Sequence, residues 1–172
     1  MYFCTMKYDI KDMTNTRTLG VGGLLLLDAM LVGAACVVPA ASHVLALPLY
    51  MLNPMLALLL AGMLVGKDWR NGLLLAVLMP VVSCMVTGMP APAKMVCMVA
   101  ELATVAALFG VLARRWKVLP AVLTAVLAGK GVYYALKALV MAPAVLVGTA
   151  WWVQIAAVLL WGGLFAMLYK RK

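Results

Sequence analysis

The chain consists of long apolar runs separated by short breaks of polar residues, glycine and proline. A helix needs about 20 apolar residues to cross the roughly 30 Å hydrocarbon core of a bilayer. The pattern predicts six transmembrane helices, at residues 19–38, 45–65, 72–86, 93–112, 118–141 and 146–169. The connections are only a few residues long, so consecutive helices are expected to run antiparallel.

Composition supports this interpretation. Hydrophobic residues make up 67% of the chain and charged residues 11%, and the mean hydropathy is +1.11. Such a chain cannot cover a soluble domain with polar surface. We therefore predict an all-α integral membrane bundle, with residues 1–172 as one domain. Residues 1–18 are charged and lack the features of a secretory signal, so we expect a short cytoplasmic tail followed by a true first span.

The basic residues predict the orientation of the bundle. Eleven of them fall on one side of the predicted spans, where positive charge marks the cytoplasmic face. These are Lys7, Lys11, Arg17, Lys67, Arg70, Arg114, Arg115, Lys117, Lys170, Arg171 and Lys172. Both termini are expected inside, in a multi-pass protein of the inner (cytoplasmic) membrane. Because the net charge of +9 sorts by side, we expect a lipid bilayer and no nucleic acid as its partner.

Breaks in the apolar runs concentrate between residues 43 and 112. Pro48 and Pro54 interrupt the second run and Pro80 the third, so the outer ends of both helices are expected to be bent or partly unwound. Residues 87–92, with the sequence TGMPAP, predict a tight connection into the fourth helix. Irregular backbone at membrane depth must be packed in protein or line a cavity. This stretch is therefore interpreted as the wall of a binding cavity.

Ionisable residues inside spans are costly and usually face the bundle interior or a wet cavity. At 1.5 Å per residue, Asp28, Glu101 and Lys130 are expected at one level, roughly 12–17 Å below the outer helix ends. Lys137 and Lys94 should lie above them. Lys94 and Glu101 share one face of a helix, and so do Lys130 and Lys137. The deeper three groups either neutralise one another in the core or form part of a charged binding wall.

Histidine and sulfur ligands give no convincing metal site. His43, placed by the pattern in an outer loop, cannot supply a zinc site alone, and no metal or cofactor is expected. Cys84 and Cys97 are interpreted as buried free thiols, with a disulfide between them as the alternative. Six methionines of the outer half would suit Cu(I) but also suit the lining of an apolar pocket. They are Met51, Met55, Met85, Met89, Met95 and Met98.

No catalytic motif is present in the sequence. It has no serine elbow, no zinc-binding His-Glu helix and no phosphate-binding loop, so we expect no enzymatic activity and no nucleotide hydrolysis in this chain. An intramembrane enzyme using Asp28 and Glu101 is the weakest alternative, because no nucleophile or metal set accompanies them.

A stripe of small residues runs along the first span at Ala29, Gly33, Cys36 and Ala40. Small side chains at intervals of three and four let another helix approach closely. The stripe predicts either packing within the bundle or a docking surface for a separate membrane protein.

These features together resemble the S components of energy-coupling factor (ECF) transporters. The similarity lies in six spans, a small-residue first helix, the AGMLVG sequence at residues 61–66, TGMP at 87–90 and Glu101 followed by Leu102. The resemblance implies that Ala29 and Gly33 contact a transmembrane T component, with Gly33 in place of the family's second alanine. Two cytoplasmic ATPases would complete the importer. Asp28 departs from the family's usual apolar first helix.

The resemblance also implies a substrate that enters from outside and is held by the first outer loop and the outer parts of spans four to six. We expect a small, vitamin-like organic anion, because Lys94 and Lys137 lack a counter-charge in the protein. The expected binding residues are His43, Asn53, Lys94, Glu101, Lys130, Tyr133, Lys137 and Trp152. The alternatives are a membrane scaffold or assembly protein without a ligand and, with less support, a copper transporter based on methionine and cysteine.

Overall fold

The computed structural model describes residues 20–44, 53–66, 68–140 and 151–170. Helices fill nearly all of these ranges, and none of them contains a strand. In chain order the helices are α1 (Val21–Val44), α2 (Pro54–Gly66), α3 (Trp69–Thr87), α4 (Pro92–Leu112), α5 (Val118–Val140) and α6 (Trp151–Lys170). The predicted all-α fold is confirmed.

Four helices are long and apolar enough to cross a membrane: α3, α4, α5 and most of α6. Helices α1 and α2 contribute shorter apolar stretches, at residues 22–38 and 54–66. The 13 residues of α2 extend only about 20 Å, less than the thickness of a hydrocarbon core. Because four of its helices are long and apolar enough to cross a bilayer, the chain is a multi-pass membrane protein. The first half of the predicted second span, including Pro48, lies outside the described residues.

Helix ends differ from the predicted boundaries where prolines and caps act. Helix α1 continues to Val44, beyond the predicted end at residue 38. Helix α3 begins at Trp69 because the carboxylate of Asp68 accepts a hydrogen bond from the Arg70 amide at 2.9 Å, as N-cap residues do. The same helix passes through the buried Pro80 and continues to Thr87. The predicted unwinding of its outer end is wrong. Pro80 cannot donate a helical hydrogen bond, but neighbouring helices cover this part of α3 and the helix remains intact.

The connection between α3 and α4 is as tight as the sequence predicts. Gly88 adopts a left-handed conformation with φ of 71°, and its amide donates to the carbonyl of Cys84 at 3.0 Å. Glycine pays no steric penalty there. Pro92 then starts α4, where its missing amide hydrogen is no loss. The two helices are consequently antiparallel neighbours.

One core joins all six helices. Helix α3 packs against α1, α2 and α4, and α5 packs against α4 and α6. Buried side chains in this core include Leu31, Leu59, Leu75, Val105, Val126 and Phe165. Large apolar residues also cover the outside of the bundle, for example Leu139 at 82% exposure and Met167 at 73%. Such a surface suits lipid and would not suit water.

The two ends of the bundle differ in charge. The end that holds the α2–α3 and α4–α5 connections carries the exposed residues Arg70, Arg114, Arg115 and Lys117, and we call it the basic end. The opposite end holds the 88–91 connection and is called the cavity end. Lys170 ends α6 at this basic end. Its side chain and the other six basic residues of the predicted cytoplasmic side lie outside what the structure describes, so the orientation with both termini inside stays a prediction.

Candidate functional site: a charged cavity at one end of the bundle

A cavity of about 500 Å³ opens at the cavity end of the bundle. Its walls come from five helices and the 88–91 connection. The lining residues are Ala35, Val38, Asn53, Pro54, Met55, Leu56, Leu58, Gly88, Met89, Pro90, Ala91, Lys94, Met98, Glu101, Lys130, Tyr133, Gln154, Ala157 and Val158. Mostly apolar walls with a few convergent polar groups are typical of small-molecule sites of this volume.

Helices α4 and α5 supply the charged floor of the cavity. Glu101 lies nine residues after the start of α4, and Lys130 lies ten residues before the end of α5. At 1.5 Å per residue, both side chains are attached about 14 Å from the helix ends at the cavity end. The floor is therefore well inside the bundle.

Glu101 is the centre of this floor. Its carboxylate oxygen Oε1 lies 2.7 Å from the ammonium nitrogen of Lys130 and accepts a hydrogen bond from the Asn53 amide nitrogen at 3.2 Å. Glu101 is only 3% exposed. A buried carboxylate needs such partners, because burial of an isolated charge is very unfavourable. The contacts join α4, α5 and the start of α2 at one oxygen atom.

Asn53 has an unusual backbone that positions its side chain. Its φ is +51°, in the left-handed region that asparagine tolerates better than most residues. Its carbonyl accepts from the amides of Leu56 and Ala57, at 3.0 and 3.3 Å, and so begins helix α2. The residue before a proline is disfavoured in the right-handed helical region, and here Pro54 follows directly. The predicted irregularity of the second run is thus found at Asn53.

Two lysines of α5 lie against one aromatic ring. The ammonium nitrogens of Lys130 and Lys137 are 5.5 and 6.0 Å from the centroid of the Tyr133 ring. Contacts of this length are favourable cation–π interactions. Lys137 is only 9% exposed, yet it makes no ion pair with any acid in the described part of the chain.

Gly129 lets α5 approach α4 closely enough for the ion pair. A Cβ atom at this position would lie 2.6 Å from a methyl group of Val105 and 2.9 Å from the backbone carbonyl of Glu101. No other residue type fits without moving one helix. The sequence analysis did not single out Gly129, because the need for a glycine arises from its close contact with α4, which the sequence of α5 alone does not show.

The rim of the cavity is fixed by two hydroxyl groups of α3. The buried hydroxyl of Ser83 donates to the carbonyl of Met89 at 2.9 Å. The hydroxyl of Thr87 lies 2.7 Å from the Ser83 carbonyl and accepts from the Met89 amide at 3.3 Å. These bonds hold the 88–91 connection against the end of α3, so this part of the rim is preformed.

Five of the eight predicted binding residues line the cavity: Asn53, Lys94, Glu101, Lys130 and Tyr133. Lys94 is exposed at its mouth. Lys137 contacts Tyr133 but does not itself line the cavity. Trp152 is 64% exposed and is absent from the lining. His43 lies in the last turn of α1 and not in a loop as predicted, because α1 is longer than expected; its side chain is outside the described atoms.

Asp28 does not share the level of Glu101. Its carboxylate accepts a hydrogen bond from the Asn71 side-chain amide at 2.8 Å, and Asn71 is the third residue of α3, at the basic end. Both residues are buried. The prediction of a three-member cluster is correct for Glu101 and Lys130 and wrong for Asp28, because α1 extends further toward the cavity end than its pattern indicated.

The sulfur-containing residues are scattered. Met55, Met89 and Met98 line the cavity, whereas Met85 is 82% exposed. Cys36, Cys84 and Cys97 are free thiols, so the alternative of a Cys84–Cys97 disulfide is wrong. Within the described ranges, no three His, Cys, Asp or Glu residues come together as a metal site would require.

Several lining residues were missed by the sequence analysis, among them Gln154 and Ala35. Gln154 projects from the first turn of α6, and Ala35 from the middle of α1. The amide of Gln154 was a usable signal, since a polar side chain in an otherwise apolar run requires a partner. Ala35 gave no signal, because an alanine in an apolar helix is compatible with any environment.

Ala29 and Gly33 of the small-residue stripe face away from the other described helices. Ala29 and Gly33 are exposed, and a Cβ atom added at Gly33 would meet nothing within 4 Å. The opposite side of the helix packs inward through Leu31 and Ala35, which are 8% and 1% exposed. Ala29 and Gly33 therefore do not serve packing against the helices that the structure describes.

Comparisons of the chain with protein-family models, with curated proteins and with solved structures gave no match.

Proposed function

We propose that this protein is a membrane receptor that captures a small molecule in its end cavity and delivers it to partner subunits. The S component of an ECF importer works in this manner. The observation that carries the proposal is the cavity itself, about 500 Å³ in volume with a buried ion pair at its floor. A bundle that served only as a scaffold would gain stability by filling this space with side chains.

The chemistry of the lining suits a molecule with both apolar and polar parts. Met98, Ala157 and Val158 offer apolar contact, while Lys94, Gln154 and the Glu101–Lys130 pair offer charge and hydrogen bonds. At the buried floor of the cavity, where Glu101 is only 3% exposed, such polar contacts are stronger than at an open surface. The preformed rim at residues 88–91 reduces the entropy lost on binding.

The partner proposal rests on the exposed face of α1. Ala29 and Gly33 leave a shallow strip between the exposed side chains of Leu26, Met30 and Val37. In lipid, helices associate where small residues let their backbones approach. The proposed partners are a transmembrane T component and two cytoplasmic ATPase subunits, which would supply the ATP-driven step, in the cytoplasmic membrane.

The binding half of the proposal is tested by filling the cavity. Met98→Trp replaces an unbranched side chain of the lining with a bulky indole ring, and Met167→Trp makes the same change at a side chain that is 73% exposed on α6. Each protein is purified in mild detergent, and its small molecules are extracted and measured by mass spectrometry. We expect a molecule that co-purifies with the parent chain and with Met167→Trp but not with Met98→Trp. Equal retention by all three proteins contradicts binding in this cavity.

The docking half is tested by adding bulk to α1. Gly33→Leu fills the stripe, and Gly131→Leu adds the same side chain at an exposed glycine of α5 where a Cβ atom also meets nothing. Both changes raise helix propensity, so neither is expected to impair folding. Gly33→Leu should abolish co-purification of membrane partners and cellular uptake, and Gly131→Leu should preserve both. If membrane partners still co-purify with Gly33→Leu, docking through Ala29 and Gly33 is contradicted, and only the ligand-binding half of the proposal remains.

A further inference from the structure

The cavity end of the bundle holds more positive than negative side chains. Lys94, Lys130 and Lys137 lie in or beside the cavity, whereas Glu101 is the one acid of the described residues at this end. Asp28 is bonded to Asn71 near the basic end, and Asp68 caps α3 there. The two remaining acids of the sequence, at positions 9 and 12, precede α1.

Glu101 is already committed to Lys130. The 2.7 Å contact between them is that of a close charge-assisted hydrogen bond, and Asn53 donates to the same oxygen. One negative charge therefore neutralises one of the three lysines. Lys94 and Lys137 have no acidic partner among the residues that the structure describes.

The burial of Lys137 makes this surplus of positive charge significant. A lysine that is 9% exposed normally has a counter-charge, because desolvation of an unpaired ammonium group is unfavourable. Its nearest aromatic neighbour, Tyr133, forms part of the cavity wall. A negative group bound in front of Tyr133 would lie in the field of Lys137 with little water between them.

The start of α4 adds to the positive potential. Its first turn follows Ala91, which makes no side-chain capping bond, and Lys94 stands in that turn at the cavity mouth. Free amide groups and the helix dipole make a helix N-terminus favourable for an anion. Ala91 and Lys94 both line the cavity, so the uncapped turn and the Lys94 ammonium group both contribute positive potential at its mouth.

From these charges we infer that the ligand of the cavity is an organic anion with an apolar body, its acid group held by Lys94 in the field of Lys137. This inference rests on the proposed function, since it names the class of molecule that the cavity captures. The apolar body would contact Met98, Ala157 and Val158.

Three probes with one phenyl ring and one chain length test the sign of the charge. They are 4-phenylbutyrate, its primary amide and 4-phenylbutylamine, titrated by calorimetry into the protein in nanodiscs of phosphatidylcholine. We expect the carboxylate to bind at least about tenfold more tightly than the amide, as the loss of a charged hydrogen bond implies. The amine should bind more weakly still. The inference is overturned if the carboxylate binds no more tightly than the amide or the amine, including the case where none of the three binds.

Variants locate the interaction. Lys94→Gln should weaken carboxylate binding about tenfold and leave amide binding unchanged. Lys137→Gln should weaken carboxylate binding less, because this lysine attracts the anion without a direct hydrogen bond. Lys117→Gln, at an exposed lysine of the basic end, is the matched control and should change neither. If Lys137→Gln does not fold, carboxylate binding to the Lys94→Gln protein still tests the inference, because Lys94 is exposed. Carboxylate binding that survives Lys94→Gln unchanged overturns the inference.

An anionic lipid headgroup would satisfy the same lysines, so the bilayer is the second arm of the experiment. Nanodiscs with one third phosphatidylglycerol should leave carboxylate binding within about threefold, since added negative surface charge acts only through a screened potential. Complete loss of carboxylate binding in these nanodiscs assigns the site to lipid and overturns capture of a free anion.

The Met98→Trp protein separates failure of this inference from failure of the proposed function. If the amide or amine binds and Met98→Trp abolishes that binding, the cavity is a receptor site but not an anion site. If probe binding is indifferent to Met98→Trp, the cavity is not the binding site and the proposed function fails with it.

Discussion

The ammonium nitrogen of Lys130 lies 2.7 Å from Oε1 of Glu101, at a level about two and a half helical turns below the cavity end. The same oxygen accepts a hydrogen bond from Asn53. Each of the three residues belongs to a different part of the chain, so the bundle is held together at this point by charge as well as by packing.

Removal of Lys130 alone is expected to be costly. Lys130→Met leaves the buried Glu101 without its cation and should lower the free energy of unfolding by about 3–5 kcal/mol. The double variant Lys130→Met/Glu101→Gln removes both charges and should recover most of that loss. Thermal and denaturant unfolding in detergent measure the two effects, with Lys117→Met as an exposed control that should stay within about 0.5 kcal/mol. Glu101→Gln alone completes the cycle, and if the loss in the double variant equals the sum of the losses in the two single variants, the pair is not coupled.

Gly129 is expected to tolerate no side chain. Gly129→Ala places a methyl group 2.9 Å from the Glu101 carbonyl, so α4 and α5 must separate, at a cost of about 1–3 kcal/mol. Gly131→Ala, two residues along α5 where a Cβ atom meets nothing, should instead be neutral or stabilise by up to about 1 kcal/mol. Melting temperatures of the two variants give the comparison. A Gly129→Ala protein as stable as Gly131→Ala would mean that the helices are not in close contact here.

The Asp28–Asn71 pair is expected to affect stability without affecting ligand binding. Asn71→Ala removes the donor to a buried carboxylate and should cost about 1–3 kcal/mol. Asn53→Ala removes a donor to Glu101 in the cavity and should reduce both stability and ligand retention. Unfolding and mass spectrometry of bound small molecules are measured on both proteins. Loss of ligand in Asn71→Ala would place Asp28 functionally within the cavity floor.

The sequence predicted the helices better than their ends. The apolar runs located α3, α4 and α5 within a few residues, because lipid imposes a nearly continuous apolar stretch on each span. The end of α1 was missed by six residues, which displaced Asp28 by about 9 Å in the estimate of depth. That single error produced the incorrect cluster of Asp28 with Glu101 and Lys130.

The charged part of the site was more predictable than its shape. Glu101 and Lys130 stood out because ionisable residues are rare inside spans and must find partners. Gly129 and Ala35 carry no such signal, since their contribution is the absence of atoms where another helix or the cavity lies. Such contributions depend on the neighbouring helix and cannot be inferred from one run of the sequence.

Under the proposed function, the shared oxygen of Glu101 constrains which substitutions can change the ligand of the cavity. Lys130, Glu101 and Asn53 form one unit in which a single replacement strands a partner, so variation at the floor requires several simultaneous substitutions. Lys94 at the mouth is exposed and Gln154 has no such triple commitment. Single substitutions at the entrance of the cavity can therefore alter the proposed specificity, whereas the floor changes only when several residues change together.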